Sequence, residues 1–289
     1  MGIVRVIARM DIKGPNLVKG IHLEGLRVLG KPDEFALHYY ESGIDELIYQ
    51  DVVASLYGRN SLCEMVSRTA REIFIPLTVG GGIRSLTDIS RVLAVGADKV
   101  SINTAAIHNP DLIRQAARSF GSSTIVVAIE AIRQRDGQYL IYTDNGREHT
   151  GIDAIEWAIR AEELGAGEII ATSVDREGTG TGYDLELTRR IAETVSIPVI
   201  AHGGPGKPEH ISEVVIRSGV DAVAISSMFH YEAVRKLSGS DQNSNEGNHE
   251  FLRSRRGVTH MTPATIADVK SHLMSSSIEC RMEDIACPA

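Results

Sequence analysis

Cysteine is scarce. The chain has 289 residues and three cysteines, Cys63, Cys280 and Cys287, irregularly spaced and without a C-x-x-C pair. That excludes a disulfide framework and a thiolate zinc site, so no metal or other cofactor is expected. Long apolar runs are missing too. No stretch reaches the roughly 18 apolar residues a membrane span needs. The N-terminus, MGIVRVIARMDIKG, carries Arg5, Arg9 and Asp11 inside its apolar stretch and has no signal-peptide core. A cytoplasmic location is therefore expected. Basic charge is in deficit: 30 Lys and Arg against 38 Asp and Glu leave a formal charge of −8. This argues against nucleic-acid binding driven by net charge, though a local basic pocket can still hold phosphate. A Gly-rich fingerprint after the first apolar run is also lacking, which weighs against an open doubly wound sheet.

What is present is a rhythm. With 43% apolar and 24% charged residues, the composition is that of a folded globular chain. Eight short apolar runs occur, at 3–8, 46–49, 76–79, 99–102, 125–129, 168–171, 198–201 and 222–225. Runs of this length, rich in Val and Ile, read as parallel strands covered on both faces. Segments of helical length lie between them, for example 61–72, 86–95, 111–120, 152–164, 185–194 and 208–218. Eight β–α alternations predict an α/β fold, a (β/α)₈ barrel.

The chain also repeats itself. The stretch Pro76-Leu-Thr-Val-Gly-Gly-Gly-Ile is echoed 122 residues later by Pro198-Val-Ile-Ala-His-Gly-Gly-Pro. Gly96-Ala-Asp-Lys-Val-Ser-Ile-Asn is echoed 123 residues later by Gly219-Val-Asp-Ala-Val-Ala-Ile-Ser. Two blocks in the same order at nearly one offset predict two half-barrels of four strands each. One segment breaks the rhythm. Residues 238–263 are polar, with Gly, Asn and Ser clustered at the start, and read as a loop or disordered insertion. The expected division is a barrel over 1–237, this insertion, and a last barrel helix with a frayed tail over 264–289.

In such a barrel the C-terminal strand ends carry the active face. Asp11, Asp51, Asn103-Thr104, Glu130, Thr172 with Asp175, His202 and Ser226-Ser227 each follow a run, and Gly80-Gly81-Gly82 follows the third. Glycine turns ahead of helices expose backbone N–H groups and make anion sites. Two such constellations are related by the repeat: Gly81 and Gly82 with Asn103 and Thr104, and Gly203 and Gly204 with Ser226 and Ser227, joined by Gly178. They imply an elongated substrate with a phosphate at each end. Asp11 and Glu130 then lie between the phosphates, where two carboxyls of different pKa divide acid and base roles. Lys19, in the loop after the first run, is placed to fold over a phosphate. At the other end, Arg5, Glu46, Lys99 and Glu168 alternate in sign at strand starts. They form either a structural plug or a gate for something small.

At these residues the sequence resembles the cyclase subunit of imidazole glycerol phosphate synthase. The resemblance covers roughly 3–237 and resumes over 264–281. It is carried by Val18-Lys19-Gly20, Gly43-Ile-Asp-Glu-Leu47, Thr78-Val-Gly-Gly-Gly-Ile83, Gly165-Ala-Gly-Glu-Ile169 and Thr172-Ser-Val-Asp-Arg-Glu-Gly-Thr179. The most specific block is Gly96-Ala-Asp-Lys-Val-Ser-Ile-Asn-Thr-Ala-Ala106, which also places Ser101 on the active face.

The resemblance implies a bis-phosphorylated ribulosyl-formimino aminoimidazole carboxamide nucleotide as substrate. It also implies a glutaminase partner at the barrel's N-terminal face, giving a heterodimer. Ammonia then crosses the barrel, and the products are imidazole glycerol phosphate and an aminoimidazole carboxamide ribotide. It assigns catalysis to Asp11 and Glu130. Phosphate binding falls to Gly82, Asn103, Thr104, Gly178, Gly204 and Ser227, and the ammonia gate to Arg5, Glu46, Lys99 and Glu168.

Departures from the family pattern cluster on the catalytic face. Glu130 stands where the family has Asp, Arg9 where it has Cys, His202 where it has Ser, and Glu177 where it has Asp. The extra methylene at Glu130 moves the carboxylate by about 1 Å, a shift large enough to change rates about 10²-fold. A second reading is therefore a barrel that relays ammonia to a sugar amidotransferase making acetamidino sugars for surface polysaccharide. A third is a regulatory scaffold that binds a bis-phosphate.

Overall fold

Short Val- and Ile-rich runs hide both faces only when covered on both sides, and a closed barrel ringed by helices does this. In the computed structural model of the chain, which describes residues 2–54, 62–237 and 260–282, all eight runs become its parallel strands. In chain order they are β1 (Arg5–Lys13), β4 (Glu46–Asp51), β5 (Leu77–Gly80), β6 (Lys99–Ile102), β7 (Ile125–Arg133), β10 (Glu168–Ser173), β11 (Val199–His202) and β12 (Ala222–Ile225). Each pairs with the next, and β12 pairs with β1 to close the ring. The expected (β/α)₈ barrel is the observed fold.

Helices fill the gaps, among them α1 (Pro32–Glu41), α2 (Cys63–Thr69), α3 (Leu86–Ala94), α4 (Thr104–His108), α5 (Asp111–Phe120), α6 (Ala154–Leu164), α7 (Leu185–Thr194), α8 (Pro208–Ser218), α9 (Ser227–Leu237) and α10 (Ile266–Ser275). Their ends are set by local chemistry. Asp153 accepts from the backbone N–H groups of Ile155 and Glu156 to start α6, and Asp184 does the same for α7 through Leu187. Thr265 and Asp268 form a capping box on α10. A buried ion pair pins α10 to the barrel: Lys270 Nζ donates to Asp45 Oδ1 and to the Gly43 carbonyl, both at 2.6 Å. The other oxygen of Asp45 accepts the Val6 N–H at 2.7 Å.

Two hairpins depart from the sequence expectation. β2 (Asn16–Ile21) and β3 (Glu24–Gly30) follow β1, and β8 (Tyr139–Thr143) and β9 (Glu148–Asp153) follow β7. Both are antiparallel extensions of the strand before them. They occupy equivalent places in the two halves, so the internal repeat extends to its largest loops. β1 and β7 are each nine residues long. They run past the apolar stretches, so Asp11 and Glu130 lie within strands. Lys19, expected in a loop, lies on β2 for the same reason. Of the polar insertion expected over 238–263, residues 238–259 lie outside the described residues, as does the tail from 283. Among the described residues no helix is long and apolar enough to cross a membrane.

Candidate active site

Strand side chains alternate between the two faces of the sheet, so every second residue of a barrel strand points inward. On β1 these are Arg5, Ile7, Arg9 and Asp11. The parallel register sets Ile7 against Glu46, Arg9 against Ile48 and Asp11 against Gln50. Glu168, Ile170 and Thr172 lie level with Val126, Ala128 and Glu130. The interior is therefore layered.

The lowest layer is a charged ring. Arg5 bonds Glu46 at 2.7 Å and also bonds Glu168. Lys99 bonds Glu46 at 3.2 Å and Glu168 at 3.1 Å. Two cations and two carboxylates alternate and close the N-terminal end. Above them lies an apolar layer of Ile7, Ile48, Val126, Ala128, Ile170, Ile200, Ala222 and Ala224.

The top layer is polar and buried. Arg9 Nε donates to Asp11 Oδ1 at 3.1 Å, and Arg9 Nη1 meets His202 Nδ1 at 3.1 Å. Thr172 Oγ1 also reaches His202 Nδ1, at 3.1 Å. Lys19 Nζ lies 3.5 Å from Asp11 Oδ2 and bonds Glu177 closely. Burial alone would raise the Asp11 pKa, but the Arg9 and Lys19 cations outweigh it and hold the carboxyl below its ordinary range. Glu130 goes the other way. Burial, with Asp11 adding to it and Arg9 opposing, lifts its pKa to about 7. His202 is buried and faces Arg9 and Lys19, so its imidazole is held neutral. The site thus holds a permanent carboxylate, Asp11, and a carboxyl poised to trade its proton near neutrality, Glu130.

The two glycine turns flank this layer. Gly81 has φ +96°, and a Cβ there would strike the Asp51 carbonyl oxygen. Gly204 has φ +116°, and a Cβ there would strike the Gly182 carbonyl oxygen. Only glycine fits either turn. The first turn opens onto a cavity of about 310 Å³ lined by Asp51, Gly81, Gly82, Ser101, Asn103, Thr104 and Glu130. The second, with Gly178, His202, Gly204, Ser226 and Ser227, encloses only about 10 Å³. Thr104 and Ser227 are the first residues of α4 and α9.

The two hairpins roof the mouth. Asn145, at the β8–β9 turn, donates to the Leu23 carbonyl at the β2–β3 turn, at 2.8 Å. Leu23 N–H donates to Glu177 Oε2 at 3.1 Å, and His22 N–H to the Glu177 carbonyl at 2.9 Å. Asp144 and Asn145 line the larger cavity.

The four gate candidates thus gather at the N-terminal end, and the active-face candidates gather at the mouth with one exception. Asp175 is exposed, lies outside both cavities, and accepts the Arg133 N–H at 2.8 Å. Arg9, Glu177, Asp144 and Asn145 were not among the candidate site residues, although the sequence marks the first two as departures on the catalytic face. Arg9 was legible, because it lies two positions before Asp11 and so shares its face. Glu177 and Asn145 arrive through loop folding that no periodicity marks. Among the described residues no cluster of His, Cys, Asp or Glu is placed to hold a metal.

Comparison with known proteins adds two findings. The family model described as "Histidine biosynthesis protein" matches residues 5–235. The chain is 60% identical to the "Imidazole glycerol phosphate synthase subunit HisF" of Legionella pneumophila over 212 residues, which is 73% of this chain and 100% of that protein. It is 49% identical to the protein of the same name from Methanopyrus kandleri, over 78% of this chain and 90% of that one.

Proposed function

The chain belongs to the histidine biosynthesis protein family, and from that premise we propose how its mouth works as the cyclase of imidazole glycerol phosphate synthase. What supports the reading is a pair of buried carboxyls of opposite pKa displacement, Glu130 lining the cavity at the first glycine turn and Asp11 joined through Arg9 to His202 at the second. Each turn holds one phosphate of the bis-phosphorylated nucleotide. Gly82, Asn103 and Thr104 serve one end, and Gly178, Gly204 and Ser227 the other. Ammonia adds to the segment between them. Glu130 takes and returns protons during ring closure and cleavage, since a group with pKa near 7 does both at neutral pH. Asp11 stays ionised, stabilises developing positive charge and orients Lys19.

Ammonia enters from the opposite end. The relatives are named as subunits, and a glutaminase partner docked on the N-terminal face would deliver ammonia to the ring of Arg5, Glu46, Lys99 and Glu168. Two features of that face support docking there. Phe74, 81% exposed, and Ile3, 64% exposed, stand just ahead of β5 and β1 on that face. Beside Phe74 lies a cavity of about 340 Å³ lined by Ile73, Ile75, Pro76 and Leu77. A soluble, cytoplasmic heterodimer is the arrangement proposed.

The bulk of Arg9 and His202 at the centre of the mouth, with so little space at the second turn, favours one alternative: relay of ammonia to a sugar amidotransferase. One assay separates the two. The purified chain, given the nucleotide and an ammonium salt, is expected to form imidazole glycerol phosphate without any partner. Product no higher than background, with activity appearing only beside a sugar amidotransferase, would establish the alternative.

A further inference from the structure

Arg9 is a buried cation with a donor left over. Arg9 is 3% exposed and points inward from β1. Asp11 takes its Nε–H and His202 Nδ1 takes an Nη1–H, both at 3.1 Å, while Nη2 has no partner. Neither neighbour can absorb the remaining edge. Asp11 already faces Arg9 and Lys19 together. His202 accepts through Nδ1, which leaves the ring proton on Nε2. A guanidinium does not shed its charge, so a buried N–H of this kind is costly unless something accepts it.

Across the mouth the complementary deficit appears. Glu130 Oε2 is buried and also without a partner. Arg9 and Glu130 are close enough for the guanidinium to act on the Glu130 carboxyl, yet no hydrogen bond joins them. Ser101 Oγ and Asn103 Oδ1, on the same side as Glu130, are likewise unpartnered and buried. A buried donor on β1 and buried acceptors on and beside β6 and β7, none of them partnered, are what a polar group carrying both an oxygen and a proton would satisfy.

We propose that Arg9 contacts the substrate, its Nη2 donating to an oxygen in the segment that joins the two phosphates, while Glu130 meets a proton on that same segment. The inference rests on the bis-phosphate reading above and deepens it. It makes Arg9 a determinant of specificity.

The test uses two probes on the full chain. Inorganic phosphate reports on the glycine turns alone, and the bis-phosphate nucleotide reports on the turns and the Arg9 contact together. In Arg9→Met, nucleotide affinity by calorimetry is expected to fall about 10- to 100-fold, with phosphate affinity unchanged. Arg9→Lys restores the charge but not the planar fork, and is expected to recover only part of the loss. Unaltered nucleotide affinity in Arg9→Met overturns the proposal. So does a parallel loss of phosphate affinity, which marks a collapsed mouth. If Arg9→Met fails to fold, Arg9→Lys decides alone: weaker nucleotide binding with intact phosphate binding supports the contact, and wild-type affinity for both overturns it. A wild-type chain that binds the nucleotide without converting it contradicts the cyclase reading and leaves this comparison in force.

Discussion

Asp11→Asn is expected to lower ammonia-driven turnover by about 10²- to 10³-fold, the range for losing one positioned group that stabilises charge in the transition state. Asparagine keeps the shape and removes the charge, and the effect is twofold. Arg9 and Lys19 lose the anion that lies between them. Glu130 is affected as well. Asp11 is one of the charges that raise its pKa, and Arg9 is the charge that lowers it. Without Asp11, Arg9 acts unopposed and the Glu130 pKa falls below 7. The residual activity is therefore expected to show its acid-limb inflection at lower pH than the wild type. A variant that loses rate but keeps the inflection in place would mean that the two carboxyls are not neighbours electrostatically.

Glu130→Gln is expected to lower turnover by a similar factor and to stabilise the fold at the same time. The folded pKa of about 7 lies above the ordinary value of 4.5. Below pH 4.5 the carboxyl is neutral in both folded and unfolded chains, and its burial costs nothing extra. Between pH 4.5 and 7 the unfolded chain ionises while the folded one does not, so wild-type stability falls across that window and levels off above it. At about 1.4 kcal/mol per pH unit, the cost accumulates to about 3 kcal/mol. Glutamine has no such cost. Urea unfolding at pH 4 and pH 8 checks this: the variant matches the wild type at the acid value and exceeds it at the alkaline one. Equal stability at both values would mean that Glu130 is solvated in the folded chain. Loss of activity with gain of stability is the signature of a group held in a strained protonation state for function.

The barrel was legible because its strands obey a simple rule. Runs covered on both faces are continuously apolar, and the eight runs mark the eight barrel strands. The glycine turns were legible for a related reason, since Gly81 and Gly204 occupy backbone conformations that other residues resist. The charged ring was legible because Arg5, Glu46, Lys99 and Glu168 interrupt apolar runs at their starts.

The same rule concealed the upper half of β1 and β7. Inward positions there are polar because they serve the mouth. The apolar run therefore stops at residue 8 in β1 while the strand continues to Lys13. Arg9 and Asp11 share one face of that strand, but only the acid was read as a site residue. The hairpins were concealed by composition: β2 and β3 contain Gly20, Gly25 and Gly30, which read as loop. Their pairing is supplied by β1, which offers a free edge beyond the barrel rim. Glu177 reaches Lys19 from 158 residues away, and no local signal encodes such a contact.

A crystal structure with the bis-phosphate nucleotide bound is the most direct test of two anion cradles spanned by one ligand. One phosphate is expected against Gly82, Asn103 and Thr104 and the other against Gly178, Gly204 and Ser227, with the joining segment in contact with Asp11 and Glu130. A ligand held at one turn only, or lying clear of both carboxyls, would contradict it.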